Sequence, residues 1–230
     1  MHENLVRISA VSRILEGLQQ PYVFVGGATV SLYASEPIVA EHIRPTDDVD
    51  VVIELASYAG YAQIDERLRD IGFVNDVESG VLCRYRVHGI IVDIMPTDSS
   101  VIGFSNRWYP DAFRQAVPRM LYDGTEVLIF SLPYFVASKW EAFLSRGKGD
   151  YRMSKDFEDL VYIFQHCRDF QGQMAIAPGD VMDYLRNELG NRINSVDFEE
   201  GILCHMEGGY YGVDVVEIIS KVKLSLNMEL

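Results

Sequence analysis

Arg44-Pro45-Thr46-Asp47-Asp48-Val49-Asp50-Val51-Val52-Ile53 is the stretch on which the reading of this chain turns. Val49, Val51 and Ile53 alternate with Asp48, Asp50 and Val52, which is the period of a β-strand. Residues i and i+2 of a strand lie on one face, so Asp48 and Asp50 share theirs. Two carboxylates side by side repel each other unless a cation sits between them. Paired carboxylates on a largely buried strand suit Mg²⁺, which takes oxygen ligands and leaves room for substrate phosphates. A strand beginning in solvated acids explains the pair equally well, and Asp47 beside them is consistent with that.

Upstream, Tyr22-Val23-Phe24-Val25 reads as a short buried strand, broken by Gly26-Gly27, and Ala28 to Ala34 has helical character. Glycines at a strand end leading into a helix let backbone N–H groups approach a phosphate, although a tight strand-to-helix turn needs them too. Leu5, Ile8, Val11, Ile14, Leu15 and Leu18 predict an amphipathic helix over 4–19, ended by Gln20-Pro21. Residues 35–47 form a polar, proline-bearing loop. Downstream, 57–71 is helical, and Val81 to Val87 and Ile90 to Ile94 are strands joined at a His88-Gly89 turn. Asp93 is a lone acid in an apolar strand, costly unless paired or metal-bound. Should this strand lie beside the Asp48–Asp50 strand, three carboxylates converge, as a two-metal phosphoryl-transfer site requires. An edge-strand acid facing water is the alternative.

A short helix at Trp108 to Val117 and a last strand at 127–130 complete an α+β half, 1–130. From 131 to 230 the pattern is helical, over 132–146, 154–167, 180–189, 196–206 and 212–224, with joints at Pro178-Gly179 and Gly208-Gly209. The 230 residues are 48% hydrophobic and 23% charged, ordinary for a globular chain. A net charge of −14 argues against a generic nucleic-acid coat but leaves room for local basic patches. Only residues 101–156 are net basic, with eight Lys and Arg against six acids, so an anionic substrate should meet that stretch. Cys83, Cys167 and Cys204 are scattered, which argues against a disulfide framework and a Cys-based zinc site. The N-terminus does not read as a signal peptide and no apolar run reaches bilayer-spanning length, so the expectation is a soluble, cytoplasmic protein. His42, His88 and His166 share no ligand spacing, and Tyr210-Tyr211 read as packing of the helical half.

The order strand, Gly-Gly, helix, loop, Asp-x-Asp and a later Asp resembles the polymerase-β nucleotidyltransferase superfamily. Val25-Gly26-Gly27-Ala28, Tyr33 and Arg44-Pro45-Thr46-Asp47-Asp48-Val49-Asp50-Val51 are similar to the AbiEii-like members, which include the toxins of AbiE/MenT-type toxin–antitoxin pairs. Leu132 to Ala142 followed by Arg146 is similar to that family's lysine helix, and Lys155-Asp156-Phe157-Glu158-Asp159-Leu160 to its Asp-x-x-Asp helix. Together these matches span about 22–163. The separation of Gly27 from Asp48 is longer than in minimal members. The resemblance implies a polymerase-β-like domain with a mixed sheet flanked by helices, followed by a helical bundle. It implies metal ligation by Asp48, Asp50 and Asp93 in a two-metal Mg²⁺ site, with the three also catalytic. It places Gly26 and Gly27 on the NTP phosphates and gives Lys139 catalytic and nucleotide-binding roles, oriented by Asp156. Lys139 lies on a helical stripe with Phe135 and Phe143, so a snorkelling surface lysine is the bland alternative. Arg44 and Thr46 would shape the loop before the metal strand, and a turn-capping role for Thr46 is equally open.

The expected function is Mg²⁺-dependent transfer of an NMP from an NTP to an acceptor hydroxyl. The 3′ end of tRNA is one acceptor the resemblance implies, and an antitoxin protein is an implied partner. The same chemistry on a small molecule such as an aminoglycoside suits the acidic surface better. A non-catalytic nucleotide-binding protein is the third reading, disfavoured by the presence of all three carboxylates.

Overall fold

The computed structural model describes residues 2–34, 43–55, 57–206 and 212–229. Most of the expected loop 35–47, with His42, Gly208-Gly209 and Tyr210-Tyr211, lies outside the described residues. The chain forms two compact units, one of Met1–Leu32 with Arg44–Ser131, the other of Tyr33–Ile43 with Leu132–Leu230.

The first unit begins with α1, Glu3–Leu15, extended by a 3₁₀ turn, Glu16–Leu18. Its inward stripe is Asn4, Ile8, Val11 and Leu15, all at or near zero exposure. β1, Tyr22–Val25, and β2, Asp48–Ile53, follow. After α2, Tyr58–Asp70, come β3, Val74–Asn75, β4, Arg84–Val87, and β5, Ile90–Pro96. Two short helices, α3 at Ser99–Ile102 and α4 at Tyr109–Arg114, precede β6, Val117–Met120, and β7, Glu126–Ile129. The strands make one mixed sheet in the order β3-β4-β5-β2-β1-β7-β6. β2 is central, antiparallel to β1 and parallel to β5, so its apolar residues Val49, Val51, Val52 and Ile53 are buried.

Three local features depart from the sequence reading. The segment after Gly26 is a 3₁₀ helix, Gly27–Tyr33, whose first turn carries an i→i+3 bond from Thr29 N to Gly26 O at 3.3 Å. Val117, expected to end a helix, starts β6, an edge strand whose Pro118 removes a ladder donor as only an edge tolerates. β3 has only two residues, too few to carry a period. The hairpin turn forms as expected, with His88 and Gly89 at φ 48° and 81°, the signature of a type I′ turn.

The second unit is helical: α5, Leu132–Ser145, α6, Lys155–His166, α7, Phe170–Ala175, α8, Gly179–Gly190, α9, Val196–His205, and α10, Gly212–Ser225. α7 was too short to read from periodicity. Trp140, Phe143, Tyr151, Phe157 and Phe198 interlock as a ring cluster, with Phe143 and Tyr151 centroids 4.7 Å apart. Ser154 and Ser195 cap α6 and α9 by accepting from Phe157 N and Phe198 N. Lys221 Nζ donates to Phe164 O and Cys167 O, closing the C-terminus of α6, where the helix dipole favours a cation.

Candidate active site

Strand register assembles the acids of the first unit. In the parallel pair β2–β5, Asp50 stands directly opposite Asp93, with Asp48 opposite Ile91. Neighbouring strands lie about 4.8 Å apart and registered residues share a face, so the Asp50 and Asp93 side chains leave the sheet together. Asp93 is 8% exposed. Beside them Cys83 is pushed up to about 12, first by burial and then by the Asp93 and Asp50 charges, so its thiol stays protonated.

Gly26 follows from the same geometry. β1 runs antiparallel to β2 with Val25 opposite Asp50, and the chain turns at the next residue, Gly26, at φ 74°. A Cβ there would overlap the Asp50 carboxylate, and the left-handed backbone is itself costly for other residues. Gly26→Ala is therefore expected to lower stability by about 2–4 kcal/mol and displace Asp50. Equilibrium urea unfolding measures this, and an unchanged midpoint would remove the close approach. Gly27 opens the 3₁₀ segment, so the backbone behind the glycines is shorter and less dipolar than the expected helix.

The sequence reading missed Arg84. On β4 it stands opposite Asp93 in the antiparallel β4–β5 ladder. Arg84 Nε donates to Asp93 Oδ1 at 2.8 Å and Nη2 to Asp93 Oδ2 at 2.7 Å, a bidentate fork. The same Nη2 donates to Asp48 Oδ2 at 3.2 Å. The Asp93 hydrogen bond raises the guanidinium pKa above its ordinary value. Among the described residues, no group of three or more His, Cys, Asp or Glu side chains is arranged as a metal cluster. The donors are nonetheless of the kind a hard divalent cation takes, carboxylate oxygens: Asp48, Asp50 and Asp93 share one face of the sheet, and Arg84 bridges two of them.

The segment entering β2 is fixed from α1. The buried Asn4 side chain donates to Arg44 O at 3.3 Å and accepts from Thr46 N at 3.0 Å, and Arg7 donates to Thr46 O. Thr46 Oγ1 donates to Asp48 O at 2.9 Å, which is the turn-capping role left open by the sequence.

In the helical unit Lys139 and Asp156 meet, at 3.1 Å, from α5 and α6. Both are buried, and Asp159 Oδ2 lies 2.6 Å from the same ammonium. Arg146 forks onto Asp156, each nitrogen at 2.7 Å. Burial pushes the Lys139 ammonium pKa down, but the Asp159 and Asp156 charges more than offset it, leaving the pKa raised. Burial pushes Asp156 up, and Arg146 and Lys139 outweigh it, leaving that pKa lowered. The sequence reading gives Asp159 of the Asp-x-x-Asp helix no role, although its i, i+3 spacing from Asp156 puts both acids on one helix face.

Much of the positive charge in 101–156 is locally matched: Arg114 pairs with Asp111, Lys139 and Arg146 with the acids just named, and Arg152 with Glu200. Among the described residues no helix is long and apolar enough to cross a membrane.

The family model described as "Nucleotidyl transferase AbiEii toxin, Type IV TA system" matches residues 10–177, a span holding the strand acids, the glycine turn and the lysine–aspartate cluster. The chain belongs to the AbiEii family. No curated protein matches it. Among solved structures it is similar to an antigenic nucleotidyltransferase-like protein from Paracoccidioides brasiliensis, at 17% identity and a TM-score of 0.48, covering 90% of this chain and 94% of that one. As an AbiEii-family protein it carries a nucleotidyltransferase toxin fold, with Asp48, Asp50 and Asp93 brought together on one sheet face and Lys139 with Asp156 in the helical unit.

Proposed function

We propose that this AbiEii-family protein transfers a nucleoside monophosphate from an NTP to an acceptor hydroxyl in a Mg²⁺-dependent reaction. The observation that carries the reading is Asp50 and Asp93 in register on parallel strands, with Asp48 tied to Asp93 through one guanidinium nitrogen. Asp48, Asp50 and Asp93 would hold the metal. Bound there, magnesium would neutralise triphosphate charge and make the acceptor hydroxyl more acidic. In the transfer, the acceptor oxygen bonds to the α-phosphorus, the bond to the β-phosphate bridging oxygen breaks, and pyrophosphate leaves. Asp93, the most buried of the three, suits receipt of the hydroxyl proton. The Gly26 turn lets the triphosphate approach the backbone, and Gly27 continues that surface. Lys139 and Asp156 are assigned to nucleotide binding on the family resemblance alone, and they stand on a separate test.

The acceptor proposed first is the 3′ end of tRNA, with an antitoxin protein as the partner expected of a toxin family and the cytoplasm as the site of action. A second acceptor class, a small polycation such as an aminoglycoside, is favoured by the charge of −14 and by the local pairing of Arg114, Lys139, Arg146 and Arg152. Incubation with each labelled NTP, Mg²⁺ and total tRNA tests the first; label on tRNA supports it. Label on an aminoglycoside and none on tRNA would replace it with the second, and no transfer to either would overturn both.

A further inference from the structure

The carboxylate face of the sheet concentrates negative charge, and in the protein alone that charge needs a counter-ion. Arg84 supplies it. Its fork takes both oxygens of Asp93, and its Nη2 reaches on to Asp48. Arg86 shows that this arrangement is specific. It shares Arg84's face of β4 but pairs with Asp76 Oδ2 at 2.8 Å. Arg84 is also only partly withdrawn from water, with 24% of its side chain exposed, so it is not locked in the core.

A guanidinium has five donors and no acceptor. It cannot join a metal's ligand shell, so it competes with a metal for the lone pairs it occupies. A divalent ion carrying a triphosphate brings twice Arg84's charge to the carboxylates. It also brings a row of phosphate oxygens, whose geometry a guanidinium fork matches as well as it matches a carboxylate.

We propose that Arg84 is an internal counter-cation that gives up Asp48 and Asp93 when metal–nucleotide arrives and turns its fork onto the triphosphate. The inference rests on the metal-dependent transferase reading, and it adds a nucleotide-binding residue and an order of events to it. Metal alone binds weakly because Arg84 opposes it, whereas metal with nucleotide binds well because Arg84 gains a new anionic partner. The site thereby favours the metal–nucleotide complex over free metal.

The test is calorimetric titration of the full chain with Mn²⁺ alone, then with a non-hydrolysable Mg²⁺–NTP analogue, for wild type, Arg84→Gln, Arg84→Lys and Asp50→Asn. Arg84→Gln is expected to bind Mn²⁺ about tenfold tighter and the nucleotide analogue about tenfold weaker. Arg84→Lys, a point charge without the fork, should show both changes to a smaller degree, and it keeps the test open should Arg84→Gln fail to fold. A purely structural arginine would lower the melting temperature without tightening Mn²⁺ binding, and that result would overturn the proposal. Mn²⁺ affinity unchanged at Arg84 but lost in Asp50→Asn would overturn the Arg84 role and leave the metal site standing. Mn²⁺ binding indifferent to Asp50 would remove the metal-site reading, and the Arg84 proposal with it. Tighter Mn²⁺ with unchanged nucleotide affinity would overturn the move to the triphosphate.

Discussion

Asp50→Asn is expected to lower nucleotide transfer by at least ~10³-fold, about 4 kcal/mol of transition-state stabilisation, while moving stability by no more than about 1 kcal/mol. The asymmetry has a structural basis. Asparagine has the size and planarity of aspartate, so the packing against Gly26 and the register opposite Asp93 survive. What is lost is one negative charge on the face where phosphate charge must be neutralised, the main contribution a protein makes to phosphoryl transfer. Asp93→Asn should be equally inactive but less stable, because it also removes the anion that Arg84 grips through two bonds. Single-turnover transfer of labelled nucleotide, run beside urea unfolding of the same samples, separates the two effects. Activity within tenfold of wild type in Asp50→Asn would remove Asp50 from the reaction.

The contrast between Asp93 and Arg84 shows what the sequence made legible. Alternation located β2 and β5, and the family resemblance placed their acids on one face, because hydrophobic period and strand order are written locally. Arg84 was equally within reach. A two-residue His88-Gly89 turn fixes the hairpin register, with Val87 opposite Ile90, and counting back from it puts Arg84 opposite Asp93. That count requires trusting the turn, whereas the Asp-x-Asp pattern is visible without it. The 3₁₀ segment after Gly26 could not be read, since apolar spacing over seven residues does not separate a 3₁₀ from an α-helix. β6 was hidden by Pro118, which argues against a strand unless the strand is known to be an edge. Which acids a cation would bridge depends on side-chain rotamers, and no sequence period encodes those.

Lys139→Met is expected to cost about 3–5 kcal/mol, because it removes the ammonium that two buried aspartates share. Lys139, Asp156 and Asp159 are 6%, 4% and 5% exposed, so water cannot replace the ammonium. Arg146 continues to fork onto Asp156, so that carboxylate keeps a cationic partner in the variant. Stability from the cluster should also have two pH limits. The raised Lys139 pKa stabilises fully below the unfolded lysine value of about 10.4 and is lost as pH climbs through the folded one. The lowered Asp156 pKa stabilises above about 3.9 and is lost as pH falls through its folded value. Urea midpoints measured from pH 3 to 11 should therefore show a plateau in wild type, and in Lys139→Met a lower one without the alkaline limit that Lys139 sets. A structural ion cluster accounts for all of that, so the nucleotide-binding role needs a different readout. Added NTP with Mg²⁺ should raise the melting temperature of wild type, since ligand binding to the folded state stabilises it. If Lys139 contacts the triphosphate, the same addition leaves Lys139→Met unmoved at temperatures where it remains folded. Equal shifts in the two proteins would confine Lys139 to joining α5 to α6, and would leave nucleotide binding to the carboxylates, the glycine turn and Arg84.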